Sequence, residues 1–127
     1  MYLEHVNLTV SDLDRSKSFY CDVFDFRVRW EGKATANGQP VRAAHVGDAR
    51  CYVALFEALI PGQSPLDYGV TGLNHFAFVV DNLDDARERL QSLGITPETD
   101  ADYEPGRRFY FVDPDGVEIE LVEYDPT

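Results

Sequence analysis

Glu4-His5-Val6-Asn7-Leu8-Thr9-Val10-Ser11-Asp12-Leu13-Asp14 returns later in the chain as Asn74-His75-Phe76-Ala77-Phe78-Val79-Val80-Asp81-Asn82-Leu83-Asp84, a spacing of 75 − 5 = 70 residues. The return of Leu3, His5, Val10, Leu13 and Asp14 as Leu73, His75, Val80, Leu83 and Asp84 marks an internal repeat. In each copy an alternating apolar run, over 3–10 and 73–80, predicts a half-buried strand. A capping residue and a helical pattern follow. Ser11 and Asp81 are the expected starts, with Asp14 and Asp84 three residues on, where a carboxylate suits the positive end of the helix. Leu13, Phe19, Tyr20 and Val23 should form the buried face of the first helix, and Leu83, Ala86, Leu90 and Leu93 that of the second. Gly94 is the expected left-handed stop of the second helix, with Asp25 in that position in the first copy.

Outward from the repeat, strands are expected over 26–31, 39–46 and 50–58 in the first half, turning around Asn37-Gly38 and Gly47-Asp48. In the second half they are expected over 107–112 and 117–124, either side of the tight turn Asp113-Pro114-Asp115-Gly116, with a weaker strand over 95–98. The fold class is therefore α+β: two tandem βαβββ modules, 1–59 and 72–127, joined by a Gly-, Pro- and Ser-containing linker over 60–71.

A chain of 127 residues and 14.4 kDa fits one domain spanning 1–127. Lys and Arg total 11 against 23 Asp and Glu, and the resulting net charge of −12 repels nucleic acid and anionic membranes. No apolar run has the length of a membrane span, and residues 1–10 lack the basic start and apolar core of a signal peptide, so a cytoplasmic location is expected. Cys21 and Cys51 make no disulfide framework and no Cys-x-x-Cys pair; they are expected to be inert thiols, one in a helix and one in a strand.

With Glu4-His5-Val6-Asn7-Leu8, Ser11-Asp12-Leu13, Phe19-Tyr20, Gly72-Leu73-Asn74-His75-Phe76-Ala77-Phe78 and Phe111-Val112-Asp113-Pro114-Asp115-Gly116 through Ile119-Glu120-Leu121, the chain resembles the vicinal oxygen chelate superfamily. That group includes glyoxalase I, fosfomycin-resistance transferases, extradiol dioxygenases, methylmalonyl-CoA epimerases and bleomycin-resistance proteins. The resemblance implies that the modules form curved mixed β-sheets around a cavity, with a divalent metal (Fe, Mn, Zn or Ni) held there by His5, His75 and Glu120 and Glu120 also the catalytic carboxylate. Laying 53–57 over 119–123, an offset of 119 − 53 = 66, puts Ala54 where a fourth ligand stands in glyoxalase I. Glu57 lies on the opposite strand face and cannot replace it. Two imidazoles and one carboxylate leave coordination positions open, which suits a metal that chelates substrate oxygens.

Strand alternation places Glu118 on the face of Glu120, turns Glu123 away, and puts Asn7 with His5 and Phe56 with Ala54. Tyr110 matches a substrate-touching Tyr six residues before the turn glycine in fosfomycin-resistance enzymes, with Arg108 on the same face. Asn7, Phe56, Arg108 and Tyr110 are thus the expected substrate-binding residues, and Ala54 beside Phe56 suits an aromatic or hydrophobic substrate. Fosfomycin itself fits poorly: Asn7 replaces a Thr, and Asp100 stands about where a phosphonate-binding Lys is expected. His45 matches no family motif and is expected to be solvated or hydrogen-bonded. The implied activity is dioxygenase- or lyase-type chemistry on a small molecule, in a homodimer with shared sites. The alternative is a metal-free, bleomycin-resistance-like binding protein.

Overall fold

A computed structural model describes residues 1–62, 67–103 and 105–126. The order is β1 (His5–Val10), α1 (Leu13–Phe24), β2 (Arg27–Ala36), β3 (Gln39–Gly47), β4 (Tyr52–Glu57), β5 (His75–Val79), α2 (Leu83–Ser92), β6 (Thr99–Tyr103), β7 (Gly106–Val112) and β8 (Glu118–Tyr124). The chain divides into two units, Met1–Gln63 and Ser64–Thr127. The first holds an open sheet in the order β1-β4-β3-β2 and the second one in the order β5-β8-β7-β6. In each, the first strand runs parallel to the last and the other pairs are antiparallel. This is the α+β repeat that the sequence predicts.

One face of each sheet carries its helix. In the first unit Leu8, Val10, Val46, Val53 and Leu55 are buried with Leu13, Tyr20 and Val23 of α1. In the second, Phe109, Phe111, Ile119 and Leu121 are buried with Leu83 and Leu90 of α2. Period-2 alternation leaves the other face to His5, Asn7, His45, Tyr52, Ala54 and Phe56 in the first unit, and to His75, Ala77, Arg108, Tyr110, Glu118 and Glu120 in the second. The helix-bearing face holds the core, so the opposite face is available for chemistry.

Both helices start one residue later than the sequence suggests. Asp12, not Ser11, caps α1 by accepting from the Arg15 N–H, and Asn82, not Asp81, caps α2 by accepting from the Asp85 N–H. Each cap follows a second capping-type residue, and the choice falls to the oxygen that reaches the N–H three residues on. Glu57 and Glu123 add a further cap from the last strand of each sheet, accepting from the Leu13 N–H at 2.9 Å and the Leu83 N–H at 2.8 Å. Their off-face position in the sequence pattern is thereby explained. A repeated cation joins each: Arg42 lies 2.8 Å from Asp14 and 3.5 Å from Glu57, and Arg107 lies 3.5 Å from Asp84 and 3.3 Å from Glu123.

Asp25 and Gly94 adopt the expected left-handed conformation, with φ of 57° and 78°. Asn37 and Gly38, at φ 49° and 78°, turn β2 into β3. Asp113 builds the Asp-Pro-Asp-Gly turn by accepting from the N–H groups of Asp115 and Val117, both at 2.9 Å. Other expectations are corrected. The strand expected over 95–98 forms instead over Thr99–Tyr103, because the Gly94 stop is followed by irregular chain before pairing begins. Leu93 is exposed and Ser16 is fully buried in α1, while Phe19 is only half-buried. Cys51 precedes β4 rather than lying in it; burial raises both its thiol and that of Cys21 above the usual range.

Candidate metal centre

In the second unit β5 and β8 bring His75 and Glu120 together, the imidazole Nε2 lying 3.0 Å from Glu120 Oε1. His75 pairs with Glu118 across the parallel strands and Ala77 with Glu120, so the small Ala77 leaves the carboxylate room to reach two residues back along β5. The other carboxylate oxygen, Oε2, accepts from Arg108 Nη1 at 3.2 Å. Arg108 lies on β7, whose Tyr110 pairs directly with Glu120 and meets the His75 ring edge-on at 5.6 Å. The Glu120 and Arg108 side chains are only 9% and 12% exposed, so this pair is shielded from water. Arg108, placed on this strand face by alternation, points at the carboxylate and not into a surface ion pair.

The other imidazole nitrogen of His75 is also held. Nδ1 lies 2.6 Å from Asn74 Oδ1 and 3.3 Å from the Tyr68 hydroxyl oxygen. Tyr68 in turn donates its hydroxyl to Glu118, and that hydrogen bond, with burial and the carboxylate's charge behind it, pushes the phenol up to about 12. Both ring nitrogens thus face oxygen acceptors, Nδ1 those of Asn74 and Tyr68 and Nε2 that of Glu120. Two acceptors at that distance repel unless a proton or a cation satisfies both. A neutral imidazole and a carboxylate of this kind are donors that Zn, Mn or Fe accept.

In the first unit His5 is the repeat equivalent of His75. Its Nδ1 donates to Glu4 Oε1 at 2.9 Å, as the matching nitrogen of His75 does to Asn74, and this bond holds the Glu4 carboxyl below its usual range. The His5 ring stacks on Tyr52 at 4.6 Å, Tyr52 on His45 at 4.5 Å, and His45 lies against Trp30 at 4.9 Å. One ring from each strand thus crosses the sheet in the order β1, β4, β3, β2. The register shift between Val28 and Trp30 also brings the Arg29 guanidinium over Tyr52, at 4.6 Å. Burial, and then the charges of His5 and Arg29, lower the His45 imidazole below its usual range.

The register identifies the repeat-equivalent positions. Asn7 pairs with Ala54 as Ala77 pairs with Glu120, so Ala54 occupies the first-unit position of Glu120. His45 pairs with Ala54 as Tyr110 pairs with Glu120. His45, without a family motif in the sequence, is therefore the counterpart of Tyr110, and it is ring-stacked and half-buried. The predicted residues fall into two sets. His75, Glu120, Arg108 and Tyr110 meet on one face of the second sheet, while His5, Asn7 and Phe56 share a face of the first. Among the described residues no three or more His, Cys, Asp or Glu side chains gather in metal-holding geometry. Sequence reasoning did not single out Glu4, Tyr52 or Tyr68, nor Asn74 as a partner of His75; the one available signal was an acceptor side chain immediately before each repeated His.

The family model described as the Glyoxalase/Bleomycin resistance protein/Dioxygenase superfamily matches residues 2–121. The chain is 32% identical to the uncharacterized protein YaeR of Escherichia coli over 133 residues, covering 95% of each. It is 32% identical to the glutathione transferase FosA of Serratia marcescens over 124 residues, covering 94% of this chain and 78% of that one. Among solved structures, a glyoxylase/bleomycin resistance protein/dioxygenase domain from Frankia superposes with a TM-score of 0.82 at 26% identity, covering 98% of this chain and 93% of the other. The repeated βαβββ units, the paired His75 and Glu120, and a match across nearly the whole chain make it a member of the Glyoxalase/Bleomycin resistance protein/Dioxygenase superfamily.

Proposed function

We propose that the chain is a metal-dependent enzyme in which His5, His75 and Glu120 hold one divalent ion and a small aromatic or hydrophobic substrate is chelated through its oxygens. The observation that carries this is His75 Nε2 set 3.0 Å from Glu120 Oε1, with Nδ1 tied back by Asn74 and Tyr68. Such a metal, when bound, would act as a Lewis acid on substrate oxygens. Arg108 anchors one oxygen of Glu120, turning the other toward His75. Tyr110 would border the substrate with a phenol, and Asn7 and Phe56 would meet it from the first sheet. Ala54 leaves the fourth ligand position without a donor atom, so substrate oxygens need not displace a side chain.

Membership in a superfamily that includes dioxygenases and a relative that is a glutathione transferase support an enzymatic reading over a purely binding one. A metal-free binding protein is the second reading, favoured by one observation: Arg108 already supplies Glu120 with a counter-charge. For location, no helix among the described residues is long and apolar enough to cross a membrane.

The ligand set is proposed to be completed in a homodimer, with the first unit of one chain facing the second unit of the other. The test is complementation. His5→Ala and Glu120→Ala chains, each metal-deficient alone, are co-refolded and their metal content measured. Heterodimers then contain one intact and one doubly broken site, so random pairing is expected to restore about a quarter of the wild-type metal per chain. No recovery despite heterodimers on sizing and mass analysis would show that sites are not shared. A wild type that holds no Mn(II) or Zn(II) after reconstitution would remove the metal reading altogether.

A further inference from the structure

We propose that Tyr68, from the segment between the repeats, is a positioning residue for His75. Within the first unit the residue paired with His5 is Tyr52, whose ring stacks on the imidazole at 4.6 Å with an interplanar angle of 12°. At the same register in the second unit His75 faces Glu118, which has no ring to offer. Tyr68 supplies it: its ring lies 6.2 Å from that of His75 at 17°. Glu118 accepts the Tyr68 hydroxyl hydrogen, which leaves the phenol oxygen as an acceptor 3.3 Å from His75 Nδ1. Together with Asn74 Oδ1 at 2.6 Å, this oxygen accepts from Nδ1 and fixes the ring with Nε2 turned to Glu120. The second repeat thus recovers, from a connecting segment, the aromatic partner that its own strand lacks.

The consequence for metal affinity rests on the metal reading above; the effect on the imidazole does not. Partners that orient a ligand histidine change metal affinity about 10–100-fold when removed. Tyr68→Phe keeps the ring and removes only the hydroxyl, so it is expected to weaken Mn(II) binding about 10-fold, with the thermal midpoint of the metal-free protein little changed.

The test pairs a Mn(II) titration with long-range proton–nitrogen NMR of His75 in the metal-free protein. Wild type and Asn74→Ala are both expected to show a hydrogen-bonded Nδ1–H, because in the latter the Tyr68 oxygen still accepts. Asn74→Ala/Tyr68→Phe is expected to lose that Nδ1–H and hold its ring proton on Nε2, donating to Glu120. Retention of Nδ1–H in the double variant would overturn the proposal, as would Mn(II) binding by Tyr68→Phe within about twofold of a metal-binding wild type. If wild type binds no Mn(II), the metal reading fails and the His75 spectra alone decide the role of Tyr68, by the same criterion.

Discussion

Glu120→Ala is expected to weaken divalent-metal binding by about 100-fold or more, the largest functional effect of any single substitution in the chain. Three things disappear with the carboxylate. The proposed set loses its only anionic ligand, His75 Nε2 loses the oxygen 3.0 Å away, and Arg108 loses the acceptor at 3.2 Å. The last of these leaves a guanidinium only 12% exposed with its charge uncompensated by Glu120, directly where a divalent cation would bind. A cost of about 2–3 kcal/mol in folding stability should accompany the metal effect. Glu120→Gln separates the two: the amide keeps the volume and can accept from Arg108, so most of the stability should return while metal binding stays weak. Calorimetric Mn(II) titration and thermal melts of the metal-free proteins read the two effects independently. Equal Mn(II) affinity in wild type and Glu120→Ala would exclude Glu120 from the ligand set.

The largest expected effect on stability comes from Phe109→Ala. Phe109 is fully buried on the helix-bearing face of β7, pairs with Leu121 across the ladder, lies 6.2 Å from Phe111 and carries the Arg87 guanidinium over its ring at 4.8 Å. Removing a ring from such a site loses its transfer free energy and leaves a cavity, together about 3–5 kcal/mol. Against the 5–15 kcal/mol typical of whole domains, this corresponds to a fall in melting temperature of roughly 12–20 °C. Tyr110→Ala, one residue along on the opposite face, should cost distinctly less, because that face lies away from the core of the unit. A melting temperature for Phe109→Ala within about 5 °C of wild type would place the core on the wrong side of the second sheet.

That division into two faces was legible before any coordinates. Alternation along 118–124 is a property of the strand backbone alone, and it separated Glu120 from Glu123 and Ala54 from Glu57. The repeat made Ala54 readable as the counterpart of Glu120, since each stands three residues before the equivalent glutamate of its strand, Glu57 and Glu123. Asp25 and Gly94 were readable because few residues tolerate a left-handed stop. What failed to show depended on information the local pattern does not hold. Ser11-Asp12 and Asp81-Asn82 each offer adjacent capping oxygens, and only the path of the chain decides between them. His45 and Tyr110 are counterparts at an offset of 110 − 45 = 65, against 70 for the histidines, so they fall out of step in a fixed alignment and emerge only from strand register. Tyr68 reaches His75 from an irregular segment, where no periodicity assigns a direction to a side chain.

The central claim is that His5 and His75 ligate the same ion, and the chain's three histidines make it directly measurable. Zn(II) is titrated into protein labelled with nitrogen-15 at histidine, and the ring nitrogens of His5, His45 and His75 are followed. The expected result is that Nε2 of His5 and Nε2 of His75 shift together and saturate together at about one equivalent per chain, while neither nitrogen of His45 takes on the shift of a ligated imidazole. A His75 that shifts while His5 does not, or two histidines that saturate at different equivalents, would contradict it.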